Sequence, residues 1–412
     1  MLRKIAKIYI FVISSVFGES YNEYLANQDG SFSSYKKNVK KSIEDEEKAF
    51  IKYQKQLEQD FNNYQQIYNE ERKKIEAEIT KIWGDKKTSS PKVLIEYSDD
   101  LKTRKIINFE TGSITIERVD DKNINQNEIE KELMNNASEF LKFSQRQAYE
   151  RDKFINSIDN KFSKIAKSSM VKSQKLDGFK PILGSAIFGH VPSKKESEKY
   201  INSNKDEIEI KENPNNKNEN IYSFSFKIPE NFPNKKALEV KSDVYRFGKT
   251  WQIEPALILA IIHSESNFNP MAQSPVPAYG LMQIVPRSAG IDAYNLVYGE
   301  RKLLSAQYLF NSRNNIELGT AYLHLLKYKY LDGVTDTQSR LYCMIAGYNT
   351  GTGNVSRAFI GDMNIRKAID KINNMSSDGV YNYLLRNLPY NETKVYLKRV
   401  MERYEMYKKM YS

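Results

Sequence analysis

No feature of the chain restricts its fold more than the run Ala256–Ile262, which is apolar throughout and ends at His263-Ser264-Glu265-Ser266. Glu254 and Pro255 stand where a helix begins, because proline fits the first helical position and lacks only a donor that would go unused there. A helix that is apolar on every side is a buried one. A carboxylate at its end is then drawn out of water, which is costly unless the group is paired or protonated. That environment raises a glutamic acid's pKa and suits it to act as a general acid near neutral pH. On Glu265 alone, a satisfied polar residue at a helix end is the simpler reading.

The rest of the chain supplies context. Its 412 residues predict two domains plus a tail or stalk. A net charge of +11 favours an anionic partner such as a wall polymer or lipid headgroups. Nucleic acid falls behind, since no Walker, zinc-finger or RNP-like pattern is found. The one cysteine, Cys343, excludes an internal disulfide and lies in an apolar helical run, where it reads as a small core residue. His190, His263 and His324 show no metal spacing, and no metal or organic cofactor is implied. His263 precedes Glu265 by two residues, so a helix turns the pair to different sides and a structural or rim role is expected ahead of catalysis.

At the N-terminus, Arg3, Lys4 and Lys7 precede an apolar stretch from Ile8 to Phe17, followed by Gly18 and Ser20. This predicts an export signal over 1–18, with an uncleaved anchor as the alternative. From 19 to 82 the chain is polar, but Phe50, Tyr53, Leu57, Phe61, Tyr64 and Tyr68 recur in steps of 3 or 4. That stripe predicts a long amphipathic helix or a short helical hairpin. From 83 to 233 a small α+β domain is expected. Val93–Tyr97 reads as a strand, residues 104–118 as a hairpin with a two-residue turn, and 221–228 as another strand. Residues 127–167 read as a helix carrying Ile129, Leu133, Ala137, Phe140 and Leu141 on one side, residues 181–189 as a strand and turn, and 193–220 as a flexible exposed loop. From 234 to 412 the chain reads as almost wholly helical. The expected class is α+β, mostly α.

Four words of the C-terminal half occur together: Glu265-Ser266; Ser274-Pro275-Val276; Gly280-Leu281-Met282-Gln283-Ile284; and Ala346-Gly347-Tyr348-Asn349-Thr350-Gly351. In this order they resemble the lytic transglycosylases with a goose-lysozyme-like catalytic domain. Trp83-Gly84, Ile107-Asn108-Phe109, Thr111 to Glu117 and Phe224 to Pro229 are similar to the N-terminal domain of the membrane-bound lytic murein transglycosylase C family. The relatives so implied are lipoproteins anchored through an N-terminal cysteine, which this chain lacks. Outer-membrane anchoring is therefore not expected, and a periplasmic protein is.

The resemblance implies cleavage of the MurNAc–GlcNAc β-1,4 bond of peptidoglycan without water. One acid, Glu265, protonates the leaving oxygen and then takes a proton as the muramyl C6 hydroxyl closes a 1,6-anhydro ring. A nucleophile borne by the substrate has an entropic advantage over water. Two-carboxylate hydrolysis would need a second acid. Asp292 is the only other acid between Glu265 and Tyr294, and Glu300 and Glu317 lie further on.

The resemblance further implies that Ser266 orients Glu265 and that Ser274 bonds near the reacting sugar. It implies that Gly280 allows close backbone approach, that Met282 lines the cleft floor, and that Gln283 offers its amide to the glycan. Tyr348 is expected to hydrogen-bond Glu265, and Asn349 to read substrate or tie down the Gly351–Gly353 turn. Tyr396, with Tyr390 and Val400, looks like the last family motif, with core packing as its other reading.

Pro277, Tyr279 and Gly347 depart from the family's usual residues. The alternatives in function are a hydrolytic muramidase of the same fold and a non-catalytic wall-binding or assembly protein. Peptidoglycan strands are the expected partner. The region 19–82 is a candidate docking element for a wall protein, and peripheral membrane contact is compatible with the charge.

Overall fold

The computed structural model describes residues 31–166, 170, 176 and 180–411. The expected export signal lies outside them, as does the side chain of Phe50. Two compact units divide the chain, Met1–Gln59 and Asp60–Ser412. In the first unit the described part is helix only, the N-terminal stretch of α1 (Ser31–Trp83). Among the described residues there is thus one continuous helix and no helical hairpin.

Within the second unit, α1 buries Phe61, Tyr64 and Tyr68, which are members of the predicted stripe. Its last turns carry Ile75, Ile79, Ile82 and Trp83 into a cluster with Val119, Tyr97 and Ile221. The helix stops because Gly84 turns to φ +72°, a left-handed conformation open to glycine at little cost. Asn213 and Asn215 donate to the carbonyls of Ile82 and Thr80, two of the groups a helix end leaves unpaired. Trp83 lies under the Arg104 guanidinium, which is 2% exposed, grips Asp85 with both terminal nitrogens and also bonds Glu117. A buried cation of this kind needs such partners.

One five-stranded antiparallel sheet follows: β1 (Val93–Tyr97), β2 (Thr103–Asn108), β3 (Ser113–Asp121), β4 (Glu209–Glu212) and β5 (Glu219–Lys227), in the order β1-β2-β3-β5-β4. Alternation along β3 buries Ile114 and Ile116 and turns their neighbours outward, as the period of a strand requires.

Several expectations are corrected here. The β2–β3 connection is longer than a two-residue turn: Asn108 pairs Ser113, and the Asn108 side chain accepts from the N–H groups of Glu110 and Thr111. Residues 127–167 do not form one helix. They break into α2 (Gln126–Phe140), α3 (Gln145–Arg151) and α4 (Lys153–Ile165), because Ser144 builds a capping box and Asp152 caps anew. The stripe from Ile129 to Leu141 is buried as read. At 181–189 a single bridge at Pro181 precedes a short helix, α5 (Gly184–Phe188), ended by Gly189 at φ +80°. The stretch 193–220 is not a loop throughout. It holds α6 (Lys194–Asn204), started by the Ser193/Glu196 capping box, and then β4, which is exposed along its whole length.

From Phe232 onward the chain is helical: α7 (Phe232–Trp251), α8 (Pro255–Ser266), α9 (Ile291–Tyr298), α10 (Ala306–Phe310), α11 (Ser312–Leu325), α12 (Thr337–Thr350), α13 (Thr352–Ile360), α14 (Ile365–Asn373), α15 (Ser377–Asn387) and α16 (Asn391–Tyr411). Helix α8 is buried from Ala256 to Ile262, as its composition requires. Helix α16 packs along it. Arg403 donates to the His263 carbonyl at 2.7 Å, and the Tyr407 hydroxyl meets His263 Nδ1 at 3.1 Å. Burial, reinforced by Arg403 and Lys92, pushes the His263 imidazole down to about 3, so the ring is neutral and structural. Cys343 is fully buried in α12. Among the described residues no helix is long and apolar enough to cross a membrane.

Candidate active site

Helix α8 ends at Ser266 because Asn267 takes a left-handed conformation at φ 49°, followed by Phe268 at φ 62°. The Asn267 and Asn269 side chains donate to the carbonyls of Phe109 and Pro91, which tie this sharp turn to the sheet region. Glu265 thus stands on the last turn of a rigid, buried helix. It keeps part of its surface open, and its Oε1 accepts a hydrogen bond from the Tyr396 hydroxyl at 2.7 Å. Burial raises its carboxyl to about 7; the Tyr396 hydrogen bond and the charges of Arg399 and Lys92 pull the other way, and Glu392 adds to the rise.

Facing α8 is a hairpin over residues 273–284, bridged at Gln273–Tyr279 and Tyr279–Ile284. Three elements hold its backbone. From α8, the Ser266 hydroxyl reaches the Leu281 carbonyl at 2.8 Å. From α12, the Tyr348 hydroxyl donates to the Met282 carbonyl at 2.8 Å. From α11, Asn315 accepts from the Met282 N–H and donates to the carbonyls of Tyr279 and Leu309. Gly280 sits at φ +76°, and a Cβ there would lie 2.3 Å from both the Leu309 carbonyl oxygen and the Asn315 amide. Glycine is required at this point on both counts. Met282 is buried against Gly319. Gln283 adopts φ 49°, held by its own side-chain amide, which donates to the carbonyls of Ala272 and Gly280 at 3.1 Å. Backbone strain of this kind persists only where surrounding bonds over-determine it.

The fold therefore brings Glu265, Ser266, Met282, Gln283, Tyr348 and Tyr396 into one constellation. Two expected roles change. The phenol bonded to Glu265 is Tyr396 from α16, whereas Tyr348 spends its proton on the Met282 carbonyl. Ser266 supports the hairpin and the Ile262 carbonyl, with no hydrogen bond to the Glu265 carboxyl. Asn349 accepts from Thr393 Oγ1 at 2.8 Å, joining α12 to α16. Ser274 lies on the outer arm of the hairpin, its N–H bonded to the Ala278 carbonyl. Asn315 was not singled out from sequence, because a lone asparagine on a helix carries no signal of what it faces.

The acids considered as second carboxylates are engaged elsewhere. Asp292 accepts from Tyr330, Glu317 from Tyr298, and Glu300 pairs with Lys302. One acid whose charge reaches Glu265 is Glu392, exposed on the first turn of α16. No group of three His, Cys, Asp or Glu side chains is placed to hold a metal among the described residues.

Residues 245–370 match the family model of the Transglycosylase SLT domain, and residues 50–150 match that of the membrane-bound lytic murein transglycosylase C N-terminal domain. Membrane-bound lytic murein transglycosylase C of Actinobacillus pleuropneumoniae is 32% identical over 336 residues, covering 80% of this chain and 84% of the relative. The chain belongs to the lytic murein transglycosylase family.

Further transglycosylases C are similar. The Pectobacterium atrosepticum protein is 32% identical, and that of Yersinia pestis 33% identical, each over 341 residues that cover 80% of this chain and 87% of the relative. Among solved structures, the 70 kDa soluble lytic transglycosylase of Escherichia coli matches 41% of this chain and 24% of its own, at 25% identity and a TM-score of 0.32. A superposition of that extent decides nothing about the fold. In this transglycosylase Glu265, Met282, Gln283 and Tyr348 lie inside the matched SLT segment, whereas Tyr396 lies beyond it.

Proposed function

We propose that this transglycosylase cleaves the MurNAc–GlcNAc β-1,4 bond of peptidoglycan, with Glu265 as its single acid and base. The observation that carries the reading is a half-buried carboxyl raised to about 7 and gripped through one oxygen by Tyr396. At neutral pH a large share of Glu265 is protonated, so it can give a proton to the leaving glycosidic oxygen. With Oε1 engaged by Tyr396, Oε2 is the oxygen that carries this proton. The C1–O bond breaks, the muramyl C6 oxygen bonds C1, and the C6 hydroxyl proton returns to Glu265. The acid is regenerated and no water is consumed. Intramolecular attack gains from effective molarities of about 10⁵–10⁸ M in well-oriented cases.

The hairpin then serves as the glycan-reading wall. Gln283 has both amide hydrogens committed to backbone carbonyls, which leaves Oε1 to accept from a sugar hydroxyl or N-acetyl N–H. Asn349, with Oδ1 engaged by Thr393, presents its amide nitrogen as donor. Ser274 adds a hydroxyl at the rim. We assign residues 234–412 to catalysis, 83–233 to a supporting α+β part and 19–82 to the long helix. Export through residues 1–18 would place the enzyme in the periplasm, where the early part of that helix could dock a wall protein.

The test is the mass of the saccharides released from purified murein. Fragments one water lighter than hydrolytic products, lost in a Glu265→Gln variant, support the reading. Fragments with ordinary reducing ends overturn it.

A further inference from the structure

The α1 helix reaches the glycan-reading hairpin through two tyrosines. The Tyr64 and Tyr279 hydroxyls lie 2.5 Å apart, both side chains buried, with Tyr279 0% exposed. The Tyr68 hydroxyl donates to the Ser274 carbonyl at 3.0 Å. Aromatic contacts with α4 fix both rings: Tyr64 meets Phe162 edge-on at 5.2 Å, and Tyr68 meets Phe154 at 5.1 Å. One turn earlier, Arg287, just past the hairpin, stacks over Phe61 at 4.8 Å. Tyr279 is thus the hairpin's attachment to α1.

These bonds go to the arm that carries Ser274 and to the residue where the hairpin crosses itself, not to the reacting carboxyl. Burial holds both phenols of the Tyr64–Tyr279 pair in the protonated form, well above the ordinary tyrosine range. The Tyr64–Tyr279 link therefore carries no change of charge near neutral pH. Its effect falls on where the hairpin stands, and hence on how the glycan is seated.

We propose that Tyr64 and Tyr68 are positioning residues for the 273–284 hairpin, so that α1 from Asp60 onward is part of the catalytic apparatus. The inference rests on Ser274 and Gln283 contacting the glycan. A Tyr68→Phe substitution keeps the ring on Phe154 and frees the Ser274 carbonyl. It raises KM on soluble murein glycan about fivefold, the size of one lost hydrogen bond, with kcat within about twofold and an unchanged pH profile. Tyr64→Phe and Tyr279→Phe each leave a buried hydroxyl without its partner and raise KM. Either substitution breaks the same bond, so combining them raises KM little beyond one alone, a non-additive result.

Tyr200→Phe is the control. It deletes a hydroxyl bond to the Lys227 carbonyl in the sheet region, and it lowers Tm without moving KM. The proposal is overturned if the α1 variants behave like Tyr200→Phe, lowering Tm alone, or if the Tyr64/Tyr279 pair is additive. Glu265→Gln run alongside separates the two readings. If that variant is dead while Tyr68→Phe is normal, the positioning role alone fails. If Glu265→Gln stays active, the assignment of the acid fails instead.

Discussion

Helices α1 and α16 both bring tyrosines to the candidate site, α1 to its hairpin and α16 to its carboxyl, and they use them differently. From α16, Tyr396 donates to the Glu265 carboxyl itself, so its hydroxyl acts on a proton. From α1, Tyr64 and Tyr68 bond a neutral hydroxyl and a backbone carbonyl of the hairpin, so theirs act on a position. One residue type in similar burial thus divides into an electrostatic role and a geometric one, according to whether its partner can ionise. The comparison predicts separable signatures. Changes on α16 should move the pH dependence, and changes on α1 should move KM.

The largest effect expected is that of Glu265→Gln, which keeps the side chain's shape and removes the transferable proton. A loss of about 10²–10⁴ in kcat, measured by murein clearance with binding to sacculi retained, matches the contribution of a general acid. Next comes Asn315→Ala, which strands the Met282 N–H and the Leu309 carbonyl and leaves the Tyr279 carbonyl with the Ile284 N–H alone. A stability loss of about 3 kcal/mol, read by denaturant melting, follows from leaving two buried backbone groups unpaired.

Tyr396→Phe sharpens the comparison most. The hydrogen bond it removes is the main force lowering the Glu265 carboxyl against its burial. Without that bond the pKa rises above about 7. The acid form then persists to higher pH, and the descending limb of the pH–rate profile moves to the alkaline side. The rate at its maximum falls about tenfold as the carboxyl loses its orientation, the size of one charge-assisted bond. A profile that stays in place would erase the distinction between the two helices.

The smallest effect concerns the seam between α8 and α16. His263 titrates at about 3 in the fold against about 6.5 in an unfolded chain. The unfolded state therefore binds the extra proton first as pH falls. Stability is intact above 6.5 and declines between 6.5 and about 3, a slope that His263→Gln should flatten in melts across that range.

Helix α8 was legible because an unbroken apolar run from Ala256 to Ile262 permits little but a buried helix, and its terminal acid follows from the order of the residues. The α1 stripe was legible for the same reason of period. What stayed hidden is what depends on facing. Tyr348 and Tyr396 are both phenols on helices near the site, and only the packing of α16 on α8 decides which one meets the carboxyl. Helix α6 carries little more than Ile201 into the core, so it shows no apolar stripe, although its Ser193/Glu196 capping box was present to be read. Strand β4 is exposed at every residue, so burial imposed no alternation on it. Tyr279 and Asn315 act through partners distant in sequence, and no local pattern encodes such a pairing.

The claim on which the account rests is that one proton, carried by Glu265, is lent to the glycan and recovered from it. Mass analysis of fragments released by the wild-type chain and by Glu265→Gln tests this most directly. The wild type is expected to release 1,6-anhydro ends, and the variant to release none over the time in which the wild type clears the murein. Reducing ends from the wild type, or anhydro fragments from the variant in that time, would contradict the claim.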